Sequence, residues 1–213
     1  MRIARDMHDE MGSKLTKISF LSEHAQVDPS VAGPLARKLE SIALTSRELL
    51  KTMDEIVWVV NPRNDTLENL TAYLSHYAVE YFQNTSIECD LRLPPDIPHC
   101  PLSSEARHNL FLSFEETLNN ALKHSEATRV KVEMSVQRME FELKVTDNGK
   151  GFVAPERTAV NGHVAKGRDG NGLKNLRQRL EAVGGECVVA SQPGAGASVT
   201  MRLRLNQKLA RSA

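Results

Sequence analysis

Two short strings hold acidic and amide side chains at spacings that chemistry can use. Asp147-Asn-Gly-Lys-Gly-Phe152 sets a carboxylate two residues before Gly149, with Gly151 two further on, at the end of an alternating apolar run. Glu116-Thr-Leu-Asn-Asn-Ala-Leu-Lys-His124 sets Glu116 and Asn120 four apart, on one face of a helix. An acid to read an amine, glycines to admit a base, and an amide to hold a cation together suggest a nucleotide site. A third string, Arg5-Asp-Met-His-Asp-Glu-Met-Gly12, places a histidine beside an acid near the chain start.

Each group has a specific use and a plainer alternative. A carboxylate at Asp147 can accept from the exocyclic amine of adenine. Guanine presents a carbonyl there and would leave two acceptors facing each other. Gly149 and Gly151 leave room for a base against backbone, although Asp-Asn-Gly also makes a tight turn. The Asn120 amide oxygen suits Mg²⁺, which takes few protein ligands and keeps several waters. Glu116 can polarise a water or orient a nucleophile, and Lys123 can meet a phosphate. For each of these three the alternative is a solvated helix edge. Gly170-Asn-Gly-Leu-Lys-Asn175 opens a helix with two glycines, where free N–H groups and the macrodipole favour phosphate. Its alternative is a flexible loop-to-helix junction. The stretch before it, with Gly162, Gly167 and Gly170, reads as a mobile lid.

His8 sits at the edge of an apolar helical stripe that includes Met7 and Met11. Asp9 can accept its Nδ1 proton and make Nε2 the better nucleophile. Gly12, costing about 1 kcal/mol against alanine in a helix, would clear space for a bulky donor. The alternative is a solvated surface histidine.

The elements that must position these groups are legible in the spacing. Ile3, Met7, Met11, Leu15, Ile18, Leu21 and Ala25 mark a helix over 2–27, and Val27–Pro34 is a loop. Leu35, Leu39, Ile42, Ser46, Leu49, Met53, Ile56 and Val60 alternate steps of four and three, a heptad seam that wants partner helices. Pro62 ends it. Two helices alone bury too little, so the expectation is an antiparallel hairpin that dimerises into a four-helix bundle. Beyond it the pattern turns mixed. It predicts a helix from Leu67 capped by Asp65 or Thr66, a strand over 87–93, and a helix from Ser103 or Ser104 to Lys123. Strands follow over 129–136 and 140–146, turning at Gln137-Arg138. The 153–171 loop, a helix over 173–183 stopped by Gly184-Gly185, and strands over 186–191 and 197–205 complete the chain.

Composition removes whole classes. With 27 basic and 27 acidic residues among 213, no global field draws the chain to nucleic acid or anionic membrane. Cys89, Cys100 and Cys187 lack the close pairing of a zinc or redox motif and read as reduced thiols in a cytoplasmic protein. No apolar run approaches the ~20 residues that span a bilayer, and no signal-peptide pattern opens the chain. The sequence has no Gly-x-x-x-x-Gly-Lys-Ser/Thr string and so is not a P-loop NTPase, and no glycine triplet joins an early strand to a helix as in a Rossmann site. A helix already under way at Arg2 reads as the continuation of a longer protein, whose missing part has room for membrane segments.

The three boxes Glu116–His124, Asp147–Phe152 and Gly170–Asn175 resemble the N, G1 and G2 boxes of the Bergerat-fold ATPases over roughly residues 104–205. That superfamily includes histidine kinases, type II topoisomerases and mismatch-repair ATPases. The resemblance implies ATP as the nucleotide, Asp147 on adenine, Asn120 on Mg²⁺, and Glu116 at the catalytic acid position. It also implies Lys123, Gly149, Gly151, Gly170, Gly172 and Leu173 around the nucleotide and a lid over 153–171. One departure is that Gly196 precedes Ala197 and Ser198 where Gly-Thr is usual, so a small water-bridged contact to the base is either lost or supplied by Ser198.

Arg2-Ile-Ala-Arg-Asp-Met-His-Asp-Glu-Met-Gly-Ser-Lys-Leu15 resembles the phosphoacceptor box of sensor histidine kinases, in the His-Asp subclass of the nitrate-sensor type. The implied architecture is a dimerising helical hairpin over 1–62 followed by a Bergerat-type α/β sandwich over 63–213. The implied activity is autophosphorylation of His8 from ATP, with Asp9 taking the proton, then transfer to an aspartate of a response-regulator receiver domain with a helix-turn-helix output. The implied setting is the cytoplasmic portion of a bacterial sensor, its full-length form open to anchoring in the inner membrane. Ser13 replaces the subclass glutamine that orients water for dephosphorylation, so weak phosphatase activity or a serine-dependent variant of it is expected. Another Bergerat ATPase would not need a histidine-bearing hairpin. A scaffold without chemistry would not need Glu116, Asn120 and Asp147 intact.

Overall fold

The structure is a computed structural model that describes residues 14–25, 33–61, 64–153 and 171–205. His8, Asp9, Ser13, Gly170 and nearly all of the 153–171 loop lie outside the described residues. The chain divides into two compact units, Met1–Asn64 and Asp65–Ala213.

In the first unit, α1 covers residues 14–25 and α2 covers Pro34–Val60. Gly33 (φ 66) turns the chain into α2, and Pro34 occupies its first turn, where the missing N–H is not needed. At the other end Asn61 is extended, and the Asn64 side-chain amide donates to the freed Trp58 carbonyl at 3.0 Å. Among the described residues of this hairpin the buried positions are small: Ser19, Ser22, Ala43 and Ser46. Small residues let helices approach closely. The larger apolar residues stand beside that row, so Ile18 and Leu21 of the expected stripe are exposed. Leu35, Ile42 and Leu49, seven apart on the seam, are 53%, 45% and 48% exposed. Arg47 and Glu23 pair across the two helices.

The second unit runs α3 (Leu67–Phe82), β1 (Glu88–Arg92), α4 (Ser104–His124), β2 (Arg129–Gln137), β3 (Glu140–Asp147), α5 (Asn171–Ala182), β4 (Glu186–Ser191) and β5 (Ala197–Arg204). Thr66 caps α3 by accepting from Asn69 N, and Ser103 caps α4 by accepting from Ala106 N. Lys123 and His124 close the last turn of α4, where positive charge suits the dipole. A Schellman pair ends α5: Gly185 N donates to Leu180 O at 2.8 Å and Gly184 N to Glu181 O at 3.0 Å. Gly184 takes φ 72 to do so.

The strands form one sheet in the order β1-β2-β3-β5-β4. Only β1 and β2 run parallel, as their connection through α4 requires. The β2–β3 turn falls at Arg138–Met139, one residue later than expected. Both residues have positive φ (49 and 60), as a two-residue hairpin with right-handed strand twist demands. Val132, Val145 and Val199 lie in one cross-strand row, Met134, Leu143 and Met201 in the next. All six are buried with Leu70, Leu74, Leu110, Phe114, Leu118, Leu176 and Leu180 of the helices. The opposite face is charged, with Arg202 among Glu140, Glu142 and Glu186. Cys89, Cys100 and Cys187 are all free thiols, and burial pushes Cys187 up to about 11.

The start of the unit is tied down by an ion pair. Arg107 is fully buried, and its Nη2 donates to Asp65 Oδ1. Leu102 N also donates to Asp65 O, and Leu67 N to Cys100 O. Burial pushes the Arg107 guanidinium down, and the Asp65 carboxylate pulls it back up. Replacing Asp65 with alanine removes the carboxylate from a buried cation, so Asp65→Ala should lower stability by about 2–4 kcal/mol, discounted for the part-exposed carboxylate. Urea unfolding checks this. A loss under about 0.5 kcal/mol is the behaviour of a surface pair and would sink the assignment.

Candidate active site

Asp147 ends β3 in the row that faces the helices. It pairs with Val130 on β2 and Ala197 on β5, one step beyond the buried Val145. The core row therefore finishes in a carboxylate that is only partly covered. Its Oδ1 accepts from Gly149 N at 2.9 Å, an Asx turn that orients the group. Asn148 beside it stitches β3 to β2. Its Oδ1 accepts from Thr128 N and Arg129 N at 3.0 and 2.9 Å, and its Nδ2 donates to Thr128 Oγ1 at 3.0 Å.

The glycines after Asp147 do not leave open room at the positions their missing Cβ atoms would occupy. A Cβ on Gly149 would stand 2.1 Å from the Ser125 carbonyl oxygen, and one on Gly151 would stand 2.0 Å from that of Gln192. Protein backbone fills both places. Ser125 O accepts from Lys150 N at 2.7 Å, which holds the loop against the end of α4. The glycines thus serve first to bring this loop onto backbone, which the spacing alone did not reveal.

Glu116 and Asn120 share a face of α4, both half-buried, and Asn120 Nδ2 donates to Glu116 Oε1 at 3.4 Å. That orientation leaves the Asn120 carbonyl oxygen as the group to offer a cation. Gly172 in the first turn of α5 comes so near that a Cβ there would lie 2.3 Å from Glu116 Oε1. The strings at 116–124 and 170–175 thus meet where Gly172 approaches Glu116, 56 residues apart in the chain. Leu173 is half-buried beside Gly172, and Lys123 is exposed at the end of α4. Among the described residues no three His, Cys, Asp or Glu side chains cluster as a metal centre. One amide oxygen on a helix fits an ion that takes most of its ligands from water and phosphate.

A cleft of about 320 Å³ opens beside Glu116, lined by Tyr81, Leu112, Glu115, Glu116, Asn119 and Arg179. Burial raises the Tyr81 phenol above its ordinary value, and the charges of Glu115 and Glu116 raise it further. Apart from Glu116, sequence reasoning did not single out these residues, nor Ser125 and Asn148. The Asn of Asp-Asn-Gly was the available signal for Asn148. Ser198, expected to reach toward the base, lies 3.2 Å from Thr146 Oγ1 through its own hydroxyl.

Two glycine substitutions separate the roles of these contacts. Gly149→Ala drives a methyl into a backbone carbonyl, so it should destabilise the second unit by about 2 kcal/mol or more. Gly172→Ala meets only the end of a flexible Glu116 side chain. It should fold with an unchanged melting temperature while displacing that carboxylate. Thermal unfolding of both variants is the check, and equal losses would contradict the geometry.

Residues 106–207 match the family described as histidine kinase-, DNA gyrase B-, and HSP90-like ATPase. Residues 1–65 match a family described as histidine kinase. Sensor histidine kinase LiaS of Bacillus subtilis is 26% identical over 208 residues, covering 95% of this chain and 53% of LiaS. Sensor histidine kinase DesK of the same organism is 28% identical over 213 residues, covering 97% of this chain and 51% of DesK. The chain thus spans about half the length of these relatives. The histidine kinase domain of the Erythrobacter litoralis EL346 blue-light activated histidine kinase superposes with a TM-score of 0.53 at 20% identity, covering 95% of this chain and 96% of that one. That likeness concerns the fold. The sheet with α3, α4 and α5 is a Bergerat-type ATPase fold, and the matched ATPase family implies ATP binding. With a histidine kinase match over residues 1–65 ahead of an ATPase match over 106–207, the chain belongs to the histidine kinases and is a catalytic portion of the nitrate-sensor type.

Proposed function

We propose that this chain is an ATP-dependent protein-histidine kinase that phosphorylates His8 and passes the phosphoryl group to an aspartate of a response-regulator receiver domain. The observation that carries the reading is the meeting of Glu116, Asn120 and Gly172 beside a sheet row that ends in Asp147. On this reading Asp147 accepts from the adenine amine, and Gly149, Gly151, Gly170, Gly172 and Leu173 shape the nucleotide's surroundings. Asn120 would hold Mg²⁺, which when bound neutralises phosphate charge. Lys123 meets a phosphate as a point charge.

His8 Nε2 attacks the γ-phosphorus in line. The N–P bond forms as the P–O bond to the β-phosphate breaks, and ADP leaves. Asp9 holds the Nδ1 proton and takes it as charge develops on the ring. Glu116 orients the approach. Residues 1–62 form the dimerisation and phosphotransfer unit and residues 63–213 the ATP-binding unit. Exposed Leu35, Ile42 and Leu49 supply an apolar row for a second copy of the hairpin. The regulator has a helix-turn-helix output, and the chain itself binds no nucleic acid. No helix among the described residues is long and apolar enough to cross a membrane. The setting we infer is the cytoplasmic portion of a bacterial sensor, with the full-length protein open to anchoring in the inner membrane.

Phosphoryl incorporation from γ-labelled ATP·Mg²⁺ tests the central claim. An acid-labile, base-stable label lost in His8→Gln is the expected result, and label surviving in that variant overturns the assignment. Asp147→Asn replaces an acceptor-only group with a mixed one, so ATP affinity should fall about 10- to 100-fold with the fold intact by circular dichroism. Ile42→Glu buries charge in the proposed bundle. Sedimentation should show dimer giving way to monomer, and an unchanged dimer would place the interface elsewhere.

A further inference from the structure

The α3 tyrosines take no part in the chemistry above, yet they face the helix that bears it. Tyr77 is 6% exposed, and its hydroxyl donates to Glu115 Oε1 at 2.8 Å. One turn on, the Tyr81 hydroxyl lies 3.5 Å from Asn119 Oδ1. The phenols are four apart on α3 and their acceptors four apart on α4, so the two contacts set one register between the helices. The Tyr77 ring cannot shift freely, because Phe111 meets it edge to face at 5.0 Å and Tyr81 lies 5.8 Å along α3.

Glu115 and Asn119 immediately precede Glu116 and Asn120. Successive helix residues point about 100° apart, so holding the first pair toward α3 aims the second pair toward the start of α5. Side-chain tips lie about 5–6 Å from a helix axis. A rotation of about 10° would therefore move the Glu116 carboxylate by about 1 Å, a displacement that can cost up to about 100-fold in rate.

We propose that Tyr77, through its hydrogen bond to Glu115, is a positioning residue that holds the rotation of α4 and thereby the placement of Glu116 and Asn120. This rests on the reading of Glu116 and Asn120 as nucleotide-site residues. Tyr77→Phe removes one oxygen and keeps the ring, and Glu115→Ala removes the acceptor. Glu115→Gln keeps an acceptor oxygen.

The test titrates Mg²⁺ against binding of a fluorescent ATP analogue to the full chain, beside autophosphorylation. Tyr77→Phe and Glu115→Ala should each raise the half-saturating Mg²⁺ concentration several-fold and slow phosphorylation by about tenfold. Affinity in EDTA should stay within about twofold, since the base contacts of Asp147 are untouched. Glu115→Gln should restore near-parental behaviour, and the double variant Tyr77→Phe/Glu115→Ala should be no worse than either single change. A lowered melting temperature with unchanged Mg²⁺ dependence would overturn the proposal and leave Tyr77 a packing residue. A parental chain that binds nucleotide but never labels His8 counts against the kinase reading alone, because the Mg²⁺ shift still decides this one.

Discussion

Four large side chains on one face of α4, Leu110, Phe111, Phe114 and Leu118, are buried to within 1% of full coverage, and the rest of the ATPase unit is arranged around that face. Fully burying such a residue is worth about 1.5–3 kcal/mol, so any rotation that lifts two of them from the core costs several. The helix touches α3, α5 and β3. Its polar residues therefore point where the apolar ones permit. Glu115 reaches Tyr77 on one flank, and Glu116 approaches Gly172 on the next. The hydrophobic face supplies the energy, and the hydrogen bonds at its margins refine the angle.

The sheet imposes the complementary constraint. Side chains alternate strictly between its faces, so the row Phe141, Leu143, Val145 puts Asp147 on the helix side and nowhere else. A carboxylate at the end of a core row is partly shielded while still reachable. The loop that follows is held by backbone contacts at Ser125, Gln192 and Gly196, each too close for a side chain on the facing residue. The site thus rests on two regular elements and a loop pinned to both.

The hairpin unit follows a different logic. Its inner contact runs through serines and alanine, while Leu35, Ile42 and Leu49 stand outside at a seven-residue period. Large apolar groups left out at that period are better matched to another helix than to water. The seam was legible because a heptad repeat is one-dimensional. That Ser46 of the seam turns inward with Ala43 while Leu35, Ile42 and Leu49 stay exposed was not, because which face a hairpin closes on depends on side-chain size at contact.

Taken alone, the chain specified its elements well wherever period and punctuation agreed. The caps Thr66 and Ser103, the Gly184-Gly185 stop, the alternation of β2 and β3, and the spacing of Glu116 and Asn120 all follow from local stereochemistry. The β2–β3 turn moved by one residue because Arg138 and Met139 adopt positive φ without a glycine to announce it. Only the tertiary structure decided that Gly149 and Gly151 press on backbone rather than leave space, that Gly172 meets Glu116, and that Arg107 is buried against Asp65. Those are contacts between residues distant in the chain. No local period encodes them, because they arise when the packed core fixes how each helix is turned.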